Sequence, residues 1–267
     1  MRSAVVADRF YPGSRSTLSA ALAELVPDVP AADKQKALAV VSPHAGYVYS
    51  GGVAGETLAR VRIPDTVVIL GPNHHGRGEP LGLGTEDWQM PLGNVPVNRE
   101  LAELILGSSS VITEDEVAHA YEHSLEVQVP FLQYLNSGVR IVPIVVSHVP
   151  YQVCVEAAQD MARAIREYQQ EVLVVASTDM THYESRESAS RKDHLALARI
   201  RELDPHGLYE TVVGNRISMC GIMPTTIALL AALEFGASKA ELVRYADSGE
   251  ASGDTRQVVG YAGMIIS

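Results

Sequence analysis

The chain has little of what several common protein classes need. Its 267 residues include only two cysteines, Cys154 and Cys220, which excludes a disulfide scaffold and the C-x-x-C pairs of a structural zinc site. No apolar run approaches the roughly 18 residues that a membrane-spanning helix requires. The first segment, MRSAVVADRFYPGS, lacks the apolar core of a secretory signal, so we expect a cytoplasmic protein with no membrane partner.

Positive charge is also scarce. Lys and Arg number 21 against 32 Asp and Glu, giving a net charge of -11, which argues against a nucleic-acid partner. The G-x-S-x-G, Walker and G-x-G-x-x-G motifs are absent, so a serine hydrolase, a P-loop enzyme and a dinucleotide-binding enzyme lack their signals.

Four apolar, β-branched runs each end at a small polar residue and a histidine. They are AVVSPHAG, VVILGPNHH, IVPIVVSH and VLVVASTDMTH, and their histidines are His44, His74 with His75, His148 and His182. Such runs are typical of parallel strands buried on both faces. Because helical segments alternate with them, we predict an α/β fold, a single layered domain over residues 1–267. Its mostly parallel or mixed central sheet should be flanked by helices.

Two helices carry specific predictions. EHSLEVQVPFLQYL should form one helix kinked at Pro130. PTTIALLAALEFG should have Pro224 in its first turn and Gly236 as its C-cap.

The carboxyl ends of parallel strands meet at one edge of a sheet, so several imidazoles could share a cavity that suits a metal ion. Pro43 and Gly46 would hold His44 at a fixed angle, although a loop histidine bonded to the backbone is an equal alternative. Of His74 and His75, at most one should face the cavity, because adjacent side chains usually point apart.

Asp179 precedes His182 by three residues in STDMTHY. If a helix begins there, Asp179 could set the tautomer of an imidazole that shuttles protons, or it could simply cap the helix. Cys220 lies just ahead of a helix start, a position that favours the thiolate, although a lone cysteine is more often inert packing.

His119 and His123 are spaced i, i+4 and could bind metal from a helix, but a solvated pair is the more common case. Ser124 could cap a helix and make His123 project from its start. The remaining histidines lack a partner motif and are expected to be structural or surface residues: His148, His194 and His206.

Nine ordered blocks resemble the Memo-like family, whose bacterial and archaeal members are called AmmeMemoRadiSam system protein B. The blocks span nearly the whole chain: FYPG, SPHAGYVYSGG, ILGPNHHG, MPLGN, EHSLEVQVPFLQ, VVASTDMTHY, MCGIMP, YADSGEASGD and VVGYAG. The resemblance implies a fold like the catalytic subunit of class III extradiol dioxygenases, which use non-heme Fe(II).

The resemblance also implies a set of site residues. The metal ligands would be His44, His74 and Cys220, and the residues lining the same pocket would be Asp179, His182 and His123. A thiolate would thus replace the usual carboxylate of class III dioxygenases, so ring-cleaving dioxygenation should not be inherited from the fold.

Three hypotheses follow from this set. The first is an Fe(II)-dependent redox enzyme acting on an unknown small molecule, with His182 as acid/base oriented by Asp179 and His123 polarising the bound reactant. The second is a zinc-dependent hydrolase at the same ligands, copper being a further possible metal. The third is a non-catalytic binding adaptor. The family name also suggests a radical-SAM partner protein.

Overall fold

A computed structural model of the chain describes residues 1–267. The strands are β1 (Arg2–Ser3), β2 (Ala39–Ser42), β3 (Thr66–Pro72), β4 (Leu81–Leu83), β5 (Trp88–Met90), β6 (Gly93–Val95), β7 (Thr113–Glu114), β8 (Arg140–Val146), β9 (Val172–Ser177), β10 (His182–Glu184), β11 (Ala240–Asp247) and β12 (Val258–Ile266). The helices are α1 (Arg15–Leu25), α2 (Tyr47–Ala59), α3 (Arg99–Ser108), α4 (Val129–Leu135), α5 (Tyr151–Tyr168), α6 (Arg186–Arg201), α7 (Pro205–Gly214), α8 (Ile222–Glu234) and α9 (Gly249–Ser252). Single 3₁₀ turns lie at Ala31–Asp33 and Glu126–Gln128.

The centre of the nine-stranded sheet is four parallel strands in the order β2-β9-β3-β8. Ser42 pairs with Ser177, and Pro72 pairs with Val146, so the four strands end close to one edge. Antiparallel strands extend the sheet on both sides, β12 beside β2 and β4 beside β8. The predicted α/β fold with a mixed central sheet is confirmed. A separate three-stranded sheet joins β1, β5 and β6.

Helices cover both faces of the sheet. The β2-to-β3 and β8-to-β9 connections cross it in opposite directions, so right-handed crossovers place α2 and α5 on opposite faces. Helices α1 and α4 pack against α2. Helices α3 and α8 pack against α5, and α8 also contacts strands β2, β3 and β9. All of β3 and all but the first residue of β8 are buried, which explains why these runs are apolar throughout.

One cluster of 72 buried side chains, from Val6 to Ile266, joins the first and last parts of the chain in a common core. The N-terminal segment is tied to this core by Glu126, whose carboxylate is fully buried and accepts a 2.7 Å bond from Arg2 Nη1. The carboxylate also accepts hydrogen bonds from the Tyr11 hydroxyl and from the N–H groups of Val5 and Val6.

Most sequence predictions of individual elements agree with the structure, and three differ. Pro224 lies in the first turn of α8 and Gly236 follows it with φ +83°, as expected of a C-cap glycine. Pro130 does not kink a long helix. It occupies the first turn of the short α4, where its missing N–H costs no hydrogen bond. No helix begins at Asp179, and α7 was not predicted. None of the helices combines the length and the apolar character needed to cross a bilayer.

Candidate metal centre

Residues from several distant segments meet where the parallel strands end. His44 follows β2 by two residues, His74 follows β3 by two and Asp179 follows β9 by two. His123 comes from the loop before the Glu126–Gln128 turn, and Cys220 comes from the loop before α8. The loops at this edge thus bring together residues up to 176 positions apart in sequence, as His44 and Cys220 show.

Two glycines let the loops approach the strand ends. A Cβ on Gly71 would meet Leu125 Cδ1 at 2.4 Å and Ser124 Oγ at 2.6 Å, so only glycine lets the His123 loop rest on β3. A Cβ on Gly221 would meet Ser177 O at 2.5 Å, so Gly221 brings its neighbour Cys220 against the end of β9.

Three imidazoles form a compact cluster. One ligand atom from each of His44, His74 and His123 lies within 4.8 Å of the others. The ring of His74 is stacked on that of His123 at 4.6 Å between centroids, and His44 meets both edge-on at 5.3 and 5.5 Å. His44 is buried, while His74 and His123 are partly open to solvent. This is the donor type that zinc, copper and iron accept.

Cys220 approaches the cluster on the His44 side. Its Sγ lies 3.4 Å from His44 Nε2 and accepts the Asp179 N–H at 3.2 Å, but it is outside the three-imidazole group. Burial and the Asp179 carboxylate raise the pKa of the Cys220 thiol well above its usual range. The position ahead of α8 therefore does not favour the thiolate by itself, contrary to expectation, and a nearby cation would be needed to deprotonate the sulfur.

A chain of hydrogen bonds fixes the tautomer of His44. Ser177 Oγ donates to Ser124 O at 2.7 Å and accepts from Gln128 Nε2 at 2.9 Å. Its remaining bond, 2.9 Å to His44 Nδ1, must therefore be one that it accepts. The proton is on Nδ1, and the lone pair of Nε2 faces Cys220. Burial, and the neighbouring His74 and His123, hold the pKa of His44 well below its usual range, so the ring is neutral.

Glu122, which the sequence did not predict as a site residue, fixes the tautomer of His74. Its Oε1 accepts His74 Nδ1–H at 2.9 Å and the N–H groups of His123 and Ser124, and its Oε2 accepts the His74 N–H. Burial alone would raise the pKa of Glu122, but the bonds from His74 and Ser124 hold it well below its usual range. An ionised carboxylate only accepts hydrogen bonds, so His74 also presents Nε2.

The sequence offered one signal for Glu122, its position directly before His123. The predicted capping role of Ser124 is wrong, because its hydroxyl donates to Pro72 O at 3.1 Å instead. Burial lowers the pKa of His123 to about 4, although the Glu122 carboxylate opposes this shift. The Phe10 ring packs on His123 at 4.8 Å.

Asp179 and His182 lie in the same region, but no hydrogen bond joins them. Asp179 Oδ1 accepts the His44 N–H at 2.8 Å, so the carboxylate neither caps a helix nor orients His182. Burial raises the pKa of Asp179 to about 6. His182 Nδ1 bonds to Ser218 O at 2.9 Å, and since a carbonyl only accepts, Nε2 of His182 carries the free lone pair.

The other histidines do not join the cluster. His75 is exposed beside Tyr121, although it lies within reach of Glu122 and His123. His119 is buried and bonds to Gly82 O at 2.9 Å, so it is neither solvated nor a ligand. His194 and His206 lie at the surface against Tyr245 and Tyr151. His148 is exposed, at the rim of a cavity that His74 and Cys220 also line.

The chain is similar to known proteins over nearly its whole length. A family model described as "Memo-like protein" matches residues 2–265. A MEMO1 family protein of Methanococcoides burtonii is 41% identical over 267 residues, and the match covers 100% of both chains. A MEMO1 family protein of Aquifex aeolicus is 40% identical over 267 residues, and the match covers 99% of this chain and 98% of that one. That of Archaeoglobus fulgidus is 42% identical over 265 residues, with 99% of each chain covered.

Among solved structures, an uncharacterized protein of Escherichia coli K12, JW3007, is similar with a TM-score of 0.59 and 15% identity. The match covers 85% of this chain and 98% of that one. At this identity the similarity shows the fold alone.

Proposed function

The chain belongs to the Memo-like protein family, and from that premise we propose that it is an Fe(II)-dependent redox enzyme whose ligands are His44, His74 and Cys220. The observation that carries the proposal is the pair of fixed tautomers. Ser177 and Glu122 each hold Nδ1–H of one imidazole, so both Nε2 atoms are left free to bind a metal. Without a metal the Cys220 S–H donates to His44 Nε2, and a bound cation would take the same lone pair.

The three proposed donors are of chemical types that iron accepts, imidazole nitrogen and thiolate sulfur. The 3.4 Å separation of His44 Nε2 and Cys220 Sγ is compatible with both atoms binding one ion. The Asp179 N–H that points at the sulfur would stabilise a thiolate. When bound, Fe(II) would supply redox chemistry and open positions for a small reactant.

The surrounding residues would bind and orient that reactant. We propose His182 as the acid/base, because Nε2 is its free nitrogen and the ring is partly exposed. Ser218 O orients the His182 ring. Asp179 holds the His44 loop instead. His123 faces the same space with a neutral ring and would donate a hydrogen bond to the reactant. The substrate and the radical-SAM partner stay predictions.

Metal analysis of anaerobically purified, untagged protein tests the proposal. We expect near-stoichiometric iron in the wild type, and its loss in His44→Ala, His74→Ala and Cys220→Ser. His206→Ala, an exposed histidine against Tyr151, is the matched control and should retain iron. Full iron in both His44→Ala and Cys220→Ser would refute the ligand set.

The three-imidazole cluster favours a second candidate, a zinc-dependent hydrolase, since His44, His74 and His123 are donors of the type found at catalytic zinc. The same metal inventory separates the two. Zinc in the wild type, lost in His123→Ala but retained in Cys220→Ser, would replace the iron site by a zinc site at the three imidazoles. Copper would appear in the same measurement.

A further inference from the structure

A small cavity opens beside the proposed metal ligands, at the end of β8. His74 and Cys220 line it, together with the apolar Ile222 and Met223 and the polar Ser147 and His148. We propose that this cavity binds a short carboxylate, with Ser147 and His148 as its hydrogen-bond donors. The assignment rests on the proposed function, because it makes this carboxylate a reactant of the same site.

The hydrogen bonds around the cavity leave donors unused. Asn73 Nδ2 donates to Arg77 O at 2.8 Å and to Ser147 Oγ at 3.1 Å, which uses both amide hydrogens. Ser147 Oγ is therefore an acceptor of that bond, and its own hydrogen has no acceptor in the structure. His148 is exposed, and neither of its ring nitrogens has a hydrogen-bond partner in the structure.

The charge of the lining selects the class of ligand. The chain carries 32 Asp and Glu and a net charge of -11, yet no acidic residue lines this cavity. A carboxylate would meet donors here and no acidic side chain, whereas an ammonium group would find no carboxylate to pair with. Cys220 is a neutral thiol without metal, and with metal its thiolate would be paired with the cation. The free donors therefore match an anion with two acceptor oxygens.

The size and the apolar wall limit the rest of the ligand. The cavity volume is about 130 Å³, below the roughly 300–1,000 Å³ of sites for drug-sized molecules. Val146, Ile222 and Met223 offer only apolar contact. A carboxylate with a short aliphatic carbon chain suits both the polar and the apolar lining residues, and the cavity places it next to His74 and Cys220.

The position of His148 follows from the same rule as the metal ligands. It lies two residues beyond the end of β8, the fourth parallel strand, and so reaches the edge where His44 and His74 also lie. The sequence motif alone assigned it no role.

Ligand-detected saturation-transfer NMR with propionate as the probe tests the proposal. We expect saturable transfer to propionate with metal-loaded and metal-free protein, and much weaker transfer to 1-propanol or propylammonium at the same concentration. Ser147→Ala and His148→Ala should each raise the Kd of propionate about tenfold, the effect of one charge-assisted hydrogen bond. His194→Ala, a surface histidine on α6, is the matched control and should leave the Kd unchanged.

Three results would overturn the proposal: no saturable binding of propionate, equal binding of 1-propanol, or an unchanged Kd in both variants. Metal content, measured on the same samples, separates this failure from that of the proposed function. Retained iron without propionate binding overturns the carboxylate site alone. Propionate binding by a protein that never holds metal overturns the redox function alone.

Discussion

The backbone N–H of His44 donates to Oδ1 of Asp179 at 2.8 Å, across 135 residues of sequence. The bond joins the loop after β2 to the loop after β9, two strands that lie side by side in the sheet. Asp179 therefore determines where His44 sits, and its role is to hold backbone at the site.

Asp179→Ala removes the only acceptor of that bond and leaves a buried N–H unpaired. We expect a loss of about 1–3 kcal/mol in the free energy of unfolding, measured by urea denaturation, together with weaker metal binding. Asp179→Asn keeps an acceptor oxygen and should lose clearly less. An equal loss in both variants would mean that the carboxylate charge, and not its bond to His44, matters.

Ser177→Ala removes the acceptor of His44 Nδ1–H, so the ring is free to adopt the other tautomer. We expect roughly a 10- to 100-fold loss of metal affinity, as for other groups that orient a metal-binding histidine, measured by competition with a chelator. Ser16→Ala removes an exposed hydroxyl on α1 and should leave the affinity unchanged. Unaltered affinity in Ser177→Ala would show that His44 needs no fixed tautomer.

His119 makes the stability of the metal-free protein depend on pH. Burial lowers its pKa from 6.5 to about 4, although the bond to Gly82 O opposes the shift. The unfolded chain therefore binds the proton first as the pH falls. The contribution of neutral His119 is fully present above pH 6.5 and is lost between pH 6.5 and about 4.

Compared with His119→Gln, which does not titrate, the wild type should lose about 3 kcal/mol over that interval, since each pH unit contributes about 1.4 kcal/mol. Urea denaturation at several pH values measures the difference. His206→Gln, at the surface, should follow the wild-type curve. Parallel curves for wild type and His119→Gln would contradict the assignment.

Glu126→Ala leaves Arg2 buried without its carboxylate partner, while its bonds to the carbonyls of His119 and Glu122 remain. The side chains of Glu126 and Arg2 are 0% and 5% exposed, and breaking a buried pair by removing one member costs about 3–5 kcal/mol. The matched control is Glu241→Ala, because its pair with Lys239 is exposed and should contribute less than about 1 kcal/mol. The free energy of unfolding is measured by urea denaturation. Similar losses in the two variants would show that the buried pair stabilises the fold no more than the exposed pair does.

The four apolar runs predicted their strands well because strands buried on both faces must be apolar throughout, as β3 is. The rule that parallel strands end at one edge then predicted where His44 and His74 would lie. The motif at Asp179 predicted a contact with His182 that the structure lacks. Residues spaced i, i+3 share one face only if a helix forms, and no helix forms there. There the chain is held by the bond to His44 and runs into β10.

Glu122, Ser177 and Gln128 were not predicted, because each acts through a partner far away in sequence. A glutamate, a serine and a glutamine are ordinary surface residues in most proteins, and nothing in the motif shows that these three are buried.

The sequence by itself determined the class of fold, the family and the donor types near the strand ends, because hydrophobic periodicity and residue chemistry are local properties. Only the tertiary structure decided which nitrogen each imidazole presents, that His123 stacks on His74, and that Ser147 and His148 share a cavity with Cys220. Those outcomes depend on hydrogen bonds and close contacts between segments whose separation no single stretch of sequence records.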